Sequence, residues 1–482
     1  VAHSASITSL DPHFSSQANI AIYRALFDAP FNAYFNPERK SFEVRPELFE
    51  SWSAASPTTV LFKIRQGVKF HDGSVLTSEV AAFNLNRMVS HKRSNVKTHL
   101  EGVKNAERVD ATTVKVNLQT PLASLPMMLA GNNGGVSFVS QVAVEKLGEE
   151  RYGQQAVGSG AFRLESRSAD RVTVKKYEGY WQSGQDARSL PYLDSVVFRQ
   201  IPLAAQPLIE LQKGSIEVLE GLEARDAAMV KTDPALVLHE APATGQIFFY
   251  GGFNTQSGPF AKDVRIRQAL AHAIDRVGMA KALAYGMGRP LLYPLTAPGI
   301  LGYDPSIRAY PYDPDKARQL LAEAGFPSGP NITLLSARTT EPALGDLVKQ
   351  MFDQVGFRTT FDQPERMAFY TRLATHNFDL AYWRGNLPPD PHFNARSFYG
   401  GGLGNLTGFK DNEVDKCLDD GRTETDSAKR QQIYRLCTSL IQEKAYLFTG
   451  YLVPDCIASR KEVRDIGLQG SMVDLRGVWV NR

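Results

Sequence analysis

The chain has 482 residues, 43% hydrophobic and 22% charged, which is the balance of a folded globular protein and too long for a single compact core. Its 54 basic and 51 acidic side chains leave a net charge of +3, which argues against a nucleic-acid or membrane-surface partner. No apolar run is long enough to span a bilayer, Leu122–Ala130 falling well short, so no membrane insertion is expected. The first residues, Val1-Ala2-His3, carry neither an initiator Met nor a charged-then-apolar leader, a pattern shared by trimmed chains and by mature exported proteins.

In chain order, short β-rich runs alternate with amphipathic helices, as in α/β chains. Thr59–Ile64 and Thr113–Leu118 alternate like half-buried strands. Between them the spacing predicts a helix over Ser78–Met88, with Thr77 as N-cap and Val80, Phe83, Leu85 and Met88 as its apolar positions. Val172–Lys176 reads as a strand, Leu203–Lys213 as a helix stopped by Gly214, and Ile216-Glu217-Val218 as the start of another strand. Gln246–Phe253 is β-rich and ends at Asn254. Asp263–Tyr285 carries one long helical pattern, with Ala269, Leu270, Ala273, Ile274 and Met279 on one side. Further helices are predicted over Asp315–Ala324, with Gly325 as the stop, over Glu341–Val355, and as a late pair at Val414–Leu418 and Ser427–Lys444. No long flexible linker occurs, so two lobes would be joined by short crossing segments suited to hinge closure.

The three cysteines, Cys417, Cys437 and Cys456, form no CxxC and have no His at ligand spacing, so no zinc site is expected. Cys417 and Cys437 fall on the two late helices and leave two readings open: a disulfide in an oxidising compartment, or buried free thiols. There is no GxSxG elbow, no P-loop and no HExxH, and Gly158-Ser159-Gly160 lacks the spacing of a phosphate loop. The pair Asp419-Asp420 reads as a solvated helix face. No nucleophile, base and oxyanion stabiliser stand in visible order; an enzyme, a cofactor and a catalytic residue are not expected.

Arg45-Pro46-Glu47-Leu48-Phe49-Glu50-Ser51-Trp52, followed by Phe62–Thr77 with its Phe70-His71-Asp72-Gly73 turn, closely resembles the signature of family 5 extracellular solute-binding proteins, the dipeptide, oligopeptide and nickel-binding group of ABC importers. Four later blocks agree in order: Val157–Phe162, Tyr177–Trp181, Phe253-Asn254-Thr255 with Val264–Arg276, and Tyr312–Phe326. The resemblance covers nearly the whole chain. It implies an α/β, two-lobed periplasmic-binding-protein fold of class II, cluster C type, with an extra inserted domain and the ligand cleft between lobes. The implied division is lobe I at 1–32, 156–245 and 455–482, an inserted subdomain II at 33–155, and lobe III at 246–454. It further implies a monomer in the periplasm, or outside the cell on a lipid anchor, that captures a small-molecule or peptide solute by hinge closure and docks an inner-membrane permease. A hydrolase or sensor on the same fold and a nickel-chelate binder are the alternatives. His71 belongs to a structural turn, and Arg265 and Arg267, at a helix start, suit carboxylate pairing within a lobe.

The candidate ligand loop is Tyr382–Phe393, whose Gly and Pro content gives it a fixed shape and which resembles the family's Trp…Asp-Pro element. Where peptide-binding members place an Asp against the peptide ammonium, this chain has Asn386, which cannot supply that charge. The loop is slightly longer than is usual in the family, and a slip of the alignment would give the role to Asp390, which otherwise opens an Asp-Pro turn. Asp390-Pro391-His392 also echoes the nickel-type members, without a second metal ligand beside it. Arg338 matches the position at which dipeptide binders hold the ligand carboxylate, with a surface salt bridge as the other reading. Arg384 is a second anion contact, and Trp383 and Tyr399, with Phe398, form a candidate aromatic wall. Asn254 is a candidate hinge-side contact. From the first lobe, Asn19 in Ser15–Asn19, and Asn132 and Gly134 in Asn132–Gly135, stand where the family's ligand-facing loops lie. Arg338 with Asn386 points to a small anionic or polar organic solute rather than a free-amine peptide.

Overall fold

The computed structural model of the chain describes all residues except 5, 15–19, 132–134, 185–186, 203–205, 339–341, 396–397, 401–404, 470–471 and 482. The chain divides into two compact units, Val1–Ala241 with Asp455–Arg482, and Pro242–Pro454. Both divisions fall inside a strand, Leu236–Phe253 and Tyr451–Arg460, so each of these strands contributes to both units.

In the first unit, Phe49–Ser56, Thr59–Ile64, Thr113–Leu118 and Val103–Arg108 form an antiparallel sheet in that order. The two strands expected from alternation are there, with Phe62, Ile64, Val114 and Val116 buried. Helix Ser78–Ser90 packs on the Val103–Arg108 strand, and Thr77 Oγ1 accepts the Val80 N–H at 3.2 Å as its cap. Its buried stripe is Ala81, Leu85, Met88 and Val89, while Val80 and Phe83 are only half-buried. Asn84 sets that rotation. Its amide accepts from Val139 N–H at 2.7 Å and donates to Val139 O at 3.0 Å, so a polar residue sits at the middle of the packed face, fully satisfied. A second set of strands, Phe162–Arg167, Arg171–Lys176, Ser195–Gln200, Ala2–His3 and Val218–Glu220, packs Val172, Val174, Val196 and Phe198 against Ile22 and Leu26 of helix Ile20–Leu26. Of the expected helix Leu203–Lys213, residues 203–205 lie outside the described residues and the helix runs over Pro207–Gln212, starting after Gln206 at φ +53°, with Gly214 following its end at φ +76°.

In the second unit, Asn331–Leu335 lies parallel to Arg358–Asp362 and to Leu380–Leu387, and the latter pairs antiparallel with the 245–253 stretch. Helices Pro314–Glu323 and Pro342–Gln354 stand where expected, and Gly325 follows the first at φ +83°. The expected continuous helix over 263–285 is two helices, Val264–Ala273 and Arg276–Leu283. Asp275 re-caps the chain at the break by accepting the Gly278 N–H at 2.8 Å. The buried Arg276 guanidinium donates to the Ala271 and Tyr310 carbonyls at 3.2 and 3.0 Å, which fixes the bend from outside the local sequence. The late helices are Asn412–Thr423 and Ser427–Lys444, joined by a Cys417–Cys437 disulfide; Cys456 is buried and outside that disulfide, and burial pushes its pKa up to about 12. No described helix is long and apolar enough to cross a membrane.

Candidate functional site

The second unit carries a shaped strand edge. Gln246 pairs with Asn386, Ile247 with Gly385, and Tyr250 with Trp383. The register slips between Ile247 and Tyr250, so Phe248 and Phe249 together face the single residue Arg384 in a bulge. Phe249 sits at φ +58°, a left-handed conformation that costs an aromatic residue about 1–3 kcal/mol. Its fully buried ring lies 4.9 Å from Phe448 and 5.1 Å from Tyr382, and such burial, worth roughly 1.5–3 kcal/mol, offsets the cost.

The bulge organises two small assemblies. Phe248 stacks on Tyr451 at 5.2 Å and 4°, and the exposed Arg384 guanidinium lies 4.5 Å over the Phe248 ring. Tyr250 meets the half-buried Trp383 edge-on at 5.8 Å. The Tyr250 hydroxyl is buried with no hydrogen-bond partner among the described residues, and burial raises its pKa, so it stays a proton-bearing donor. Gly385 leaves room there, since a Cβ would stand 3.3 Å from the Tyr250 ring. Among the described residues, pairing of this strand with Asn331–Leu335 spans Leu380 and Ala381, and 383–386 run on as a strand edge past the end of that neighbour. Trp383 points to one face of that edge, and Arg384 and Asn386, both exposed, point to the other.

The remaining expected residues have other engagements. Arg338 makes an exposed ion pair with Glu365 at 3.0 Å, the surface reading of the two. Asp390 is buried, and both its oxygens accept from Arg430, at 2.6 and 2.9 Å, while Oδ1 also takes the His392 N–H at 2.9 Å. The carboxylate is thus fully used within the unit, where an ammonium anchor would need it open. His392 begins the short helix His392–Ala395, and among the described residues no group of three or more His, Cys, Asp or Glu side chains is placed to hold a metal ion. The Tyr399 hydroxyl lies 3.3 Å from Asp419, and Phe398 is wholly buried. Asn254 is also internal: its amide lies 2.9 Å from both the His376 and Phe378 carbonyls, and its Oδ1 accepts the Gln256 N–H. It ties the end of the strand to the 376–379 turn instead of facing a solute. Asn19, Asn132 and Gly134 lie outside the described residues.

The motif residues of the first unit assemble a buried frame. Glu47 takes the fork of Arg24 at 3.0 and 2.8 Å and Arg476 Nη1 at 2.7 Å. Asp28 accepts from Ser159, Tyr180 and Trp181 at 3.0, 3.0 and 2.9 Å. Burial, with the charge of Glu47 beside it, raises the pKa of Asp28. His71 Nε2–H donates to Gly160 O at 2.9 Å and its Nδ1 accepts the Gly158 N–H at 3.3 Å, so burial holds it neutral, with its pKa lowered to about 4. Gly73 has φ +85°, and Asp72 accepts from the Ser74 N–H, completing the expected turn. Arg265 pairs with Asp263 as expected, whereas Arg267 is held by carbonyls, those of Phe260 and Lys444, because it is buried where no carboxylate reaches. Sequence reasoning missed Tyr250 and the Arg430 partner of Asp390. The aromatic run Ile247-Phe248-Phe249-Tyr250 was the one local signal for the former.

The α/β chain thus has two units, with an aromatic and guanidinium-bearing strand edge in one and a buried polar frame in the other. The model of the bacterial extracellular solute-binding proteins, family 5 (Middle), matches residues 43–405, and the chain belongs to that family. Its members are extracytoplasmic components of ABC importers that work with a permease and are transport proteins, not enzymes. The glutathione-binding protein GsiB of Escherichia coli (strain K12) is 27% identical over 474 residues, covering 92% of this chain and 87% of GsiB. Among solved structures, HbpA2 from Haemophilus parasuis superposes with a TM-score of 0.86 at 21% identity, covering 100% of this chain and 99% of HbpA2. The ABC transporter-associated periplasmic binding protein DppA from Helicobacter pylori, in complex with the peptide STSA, gives 0.77 at 20% identity, covering 100% and 97%.

Proposed function

We propose that this chain captures a short peptide-like solute with an anionic end and presents it to an ABC permease, and that the 383–386 strand edge is its contact in the second unit. The observation that carries this is the strand edge itself. An extended solute laid along it gains main-chain hydrogen bonds, as in strand addition, while Trp383 flanks one face and Arg384 and Asn386 the other. The Tyr250 hydroxyl beside Trp383 is a buried donor that a solute carbonyl or carboxylate would satisfy. Arg384 supplies a forked, always-charged donor set matched to a carboxylate, and the nearest candidate anchor for an ammonium, Asp390, is occupied by Arg430. Anionic short peptides, including γ-linked ones such as glutathione, therefore fit better than solutes recognised chiefly through a free amine. Calorimetric titration of ligand-free protein tests this. S-methylglutathione and N-acetyl dipeptides should bind, and Arg384→Ala should weaken binding about 10- to 100-fold, the equivalent of one charged hydrogen-bonded contact. Unaltered affinity in Arg384→Ala would remove the edge from the site.

A further inference from the structure

The segment that follows the 380–387 strand is moored by the late helix pair. Arg430 of helix Ser427–Lys444 forks onto Asp390 at 2.6 and 2.9 Å, and its Nε donates to Gly421 O of helix Asn412–Thr423 at 2.9 Å. From the shorter helix, Asp415 accepts the Gly400 N–H at 2.8 Å and Asp419 accepts the Tyr399 hydroxyl at 3.3 Å. The segment is thus gripped at its start by one helix and at its end by the other.

The shorter helix has few apolar anchors of its own. Of its 12 residues, Val414, Cys417, Leu418 and Gly421 are buried, and Cys417 is the one bonded covalently to its neighbour, through Cys437. We propose that the Cys417–Cys437 disulfide is a clasp, its redox state set as the chain folds, for the segment that follows the solute-binding strand edge. Oxidised, it fixes the shorter helix so that Asp415 and Asp419 hold Tyr399 and Gly400 while Arg430 holds Asp390. Reduced, the shorter helix loosens, the described residues 388–395 and 398–400 follow, and solute affinity falls; only this last step rests on the site proposed above. The reductant is a small-molecule thiol: two thiols are oxidised to their own disulfide, the Cys417–Cys437 S–S bond breaks, and two S–H bonds form. Cys417 is 5% exposed and Cys437 0%, so an attacking thiolate reaches sulfur only when the shorter helix lifts. The oxidised clasp therefore resists reduction in the folded chain, and its state is set mainly as the chain folds.

Hydrogen exchange on the full chain tests the clasp. The oxidised protein is compared with the Cys417→Ser/Cys437→Ser variant and, as a second route that needs no substitution, with protein refolded in dithiothreitol. Amides at 388–400 and 412–423 should lose about tenfold in protection, with Asn331–Leu335 unchanged. Equal protection at 388–400 in all three overturns the proposal. S-methylglutathione, which carries no free thiol, should bind the reduced and serine forms about tenfold more weakly; unchanged affinity beside a loosened segment overturns the link to binding. Arg384→Ala with the disulfide intact separates the two readings. If that variant, or the oxidised protein itself, shows the site to be misplaced, the exchange comparison still decides the clasp.

Discussion

Arg430→Met would leave the Asp390 carboxylate buried without its partner. In the wild type, burial pushes the Asp390 pKa up, but the charge and two hydrogen bonds of Arg430 outweigh this and hold it below the usual carboxylate range. The pair is 10% and 7% exposed, deep enough that losing one member costs about 3–5 kcal/mol. For a unit of this size that is a fall in Tm on the order of 10 °C. The sign with pH follows. In the wild type, the depressed pKa contributes stability that is present above the unfolded value and lost as pH falls below it. In the variant, the orphan carboxylate titrates upward, so the variant is rescued by acid and the gap to wild type narrows between pH 7 and pH 4.5. Calorimetric melts at the two pH values read both effects, and adding Asp390→Asn to the variant should recover most of the loss, since no buried charge then remains. A fall of less than about 2 °C at pH 7, or the same penalty at both pH values, would refute the reasoning.

Two further predictions concern other buried groups. His13 accepts from Arg87 through Nδ1 at 2.7 Å and donates Nε2–H to Ser137 O at 2.8 Å; burial, with the Arg87 charge opposing Asp11, lowers its pKa from 6.5 to about 4. Its contribution is present above pH 6.5 and lost as pH falls toward 4, about 3 kcal/mol in all, so His13→Asn should flatten the acid limb of a denaturation series at pH 7, 5.5 and 4. Identical slopes in the two proteins would count against it. Tyr250→Phe removes a buried hydroxyl that has no partner among the described residues, and should raise stability by about 1 kcal/mol while weakening solute binding about tenfold. Lower stability with unchanged affinity would mean the hydroxyl serves the fold instead.

Strands Thr59–Ile64 and Thr113–Leu118 were legible because one face is buried and the other wet, so alternation is written residue by residue. The capped start at Thr77 was legible because a cap acts within three residues. The break at Ile274-Asp275 was not, because Arg276 fixes it through the Tyr310 carbonyl, 34 residues away. The bulge at Phe249 depends on a ring pocket built from Phe448 and Tyr382, which no local pattern displays. The loop around Trp383 and Arg384 was recognised, but the engagement of Asp390 lies 40 residues on, at Arg430, and Asn254 turns inward to carbonyls more than 120 residues distant. The motif blocks around Glu47, His71 and Tyr180, which carry the family resemblance, are tied into the buried interior by hydrogen bonds between residues far apart in the chain.

On the proposed function, an extracytoplasmic carrier holds an anionic, peptide-like solute along the 383–386 edge. The most direct measurement is calorimetric titration of unfolded-and-refolded, ligand-free protein with S-methylglutathione, a free-amine dipeptide amide lacking a carboxylate, and an N-acetyl dipeptide. Binding by the two carboxylate-bearing compounds is expected, with a loss of that binding in Arg384→Ala. Tight binding by the dipeptide amide alone would contradict it and return the ammonium-anchor role to an acidic residue elsewhere in the chain.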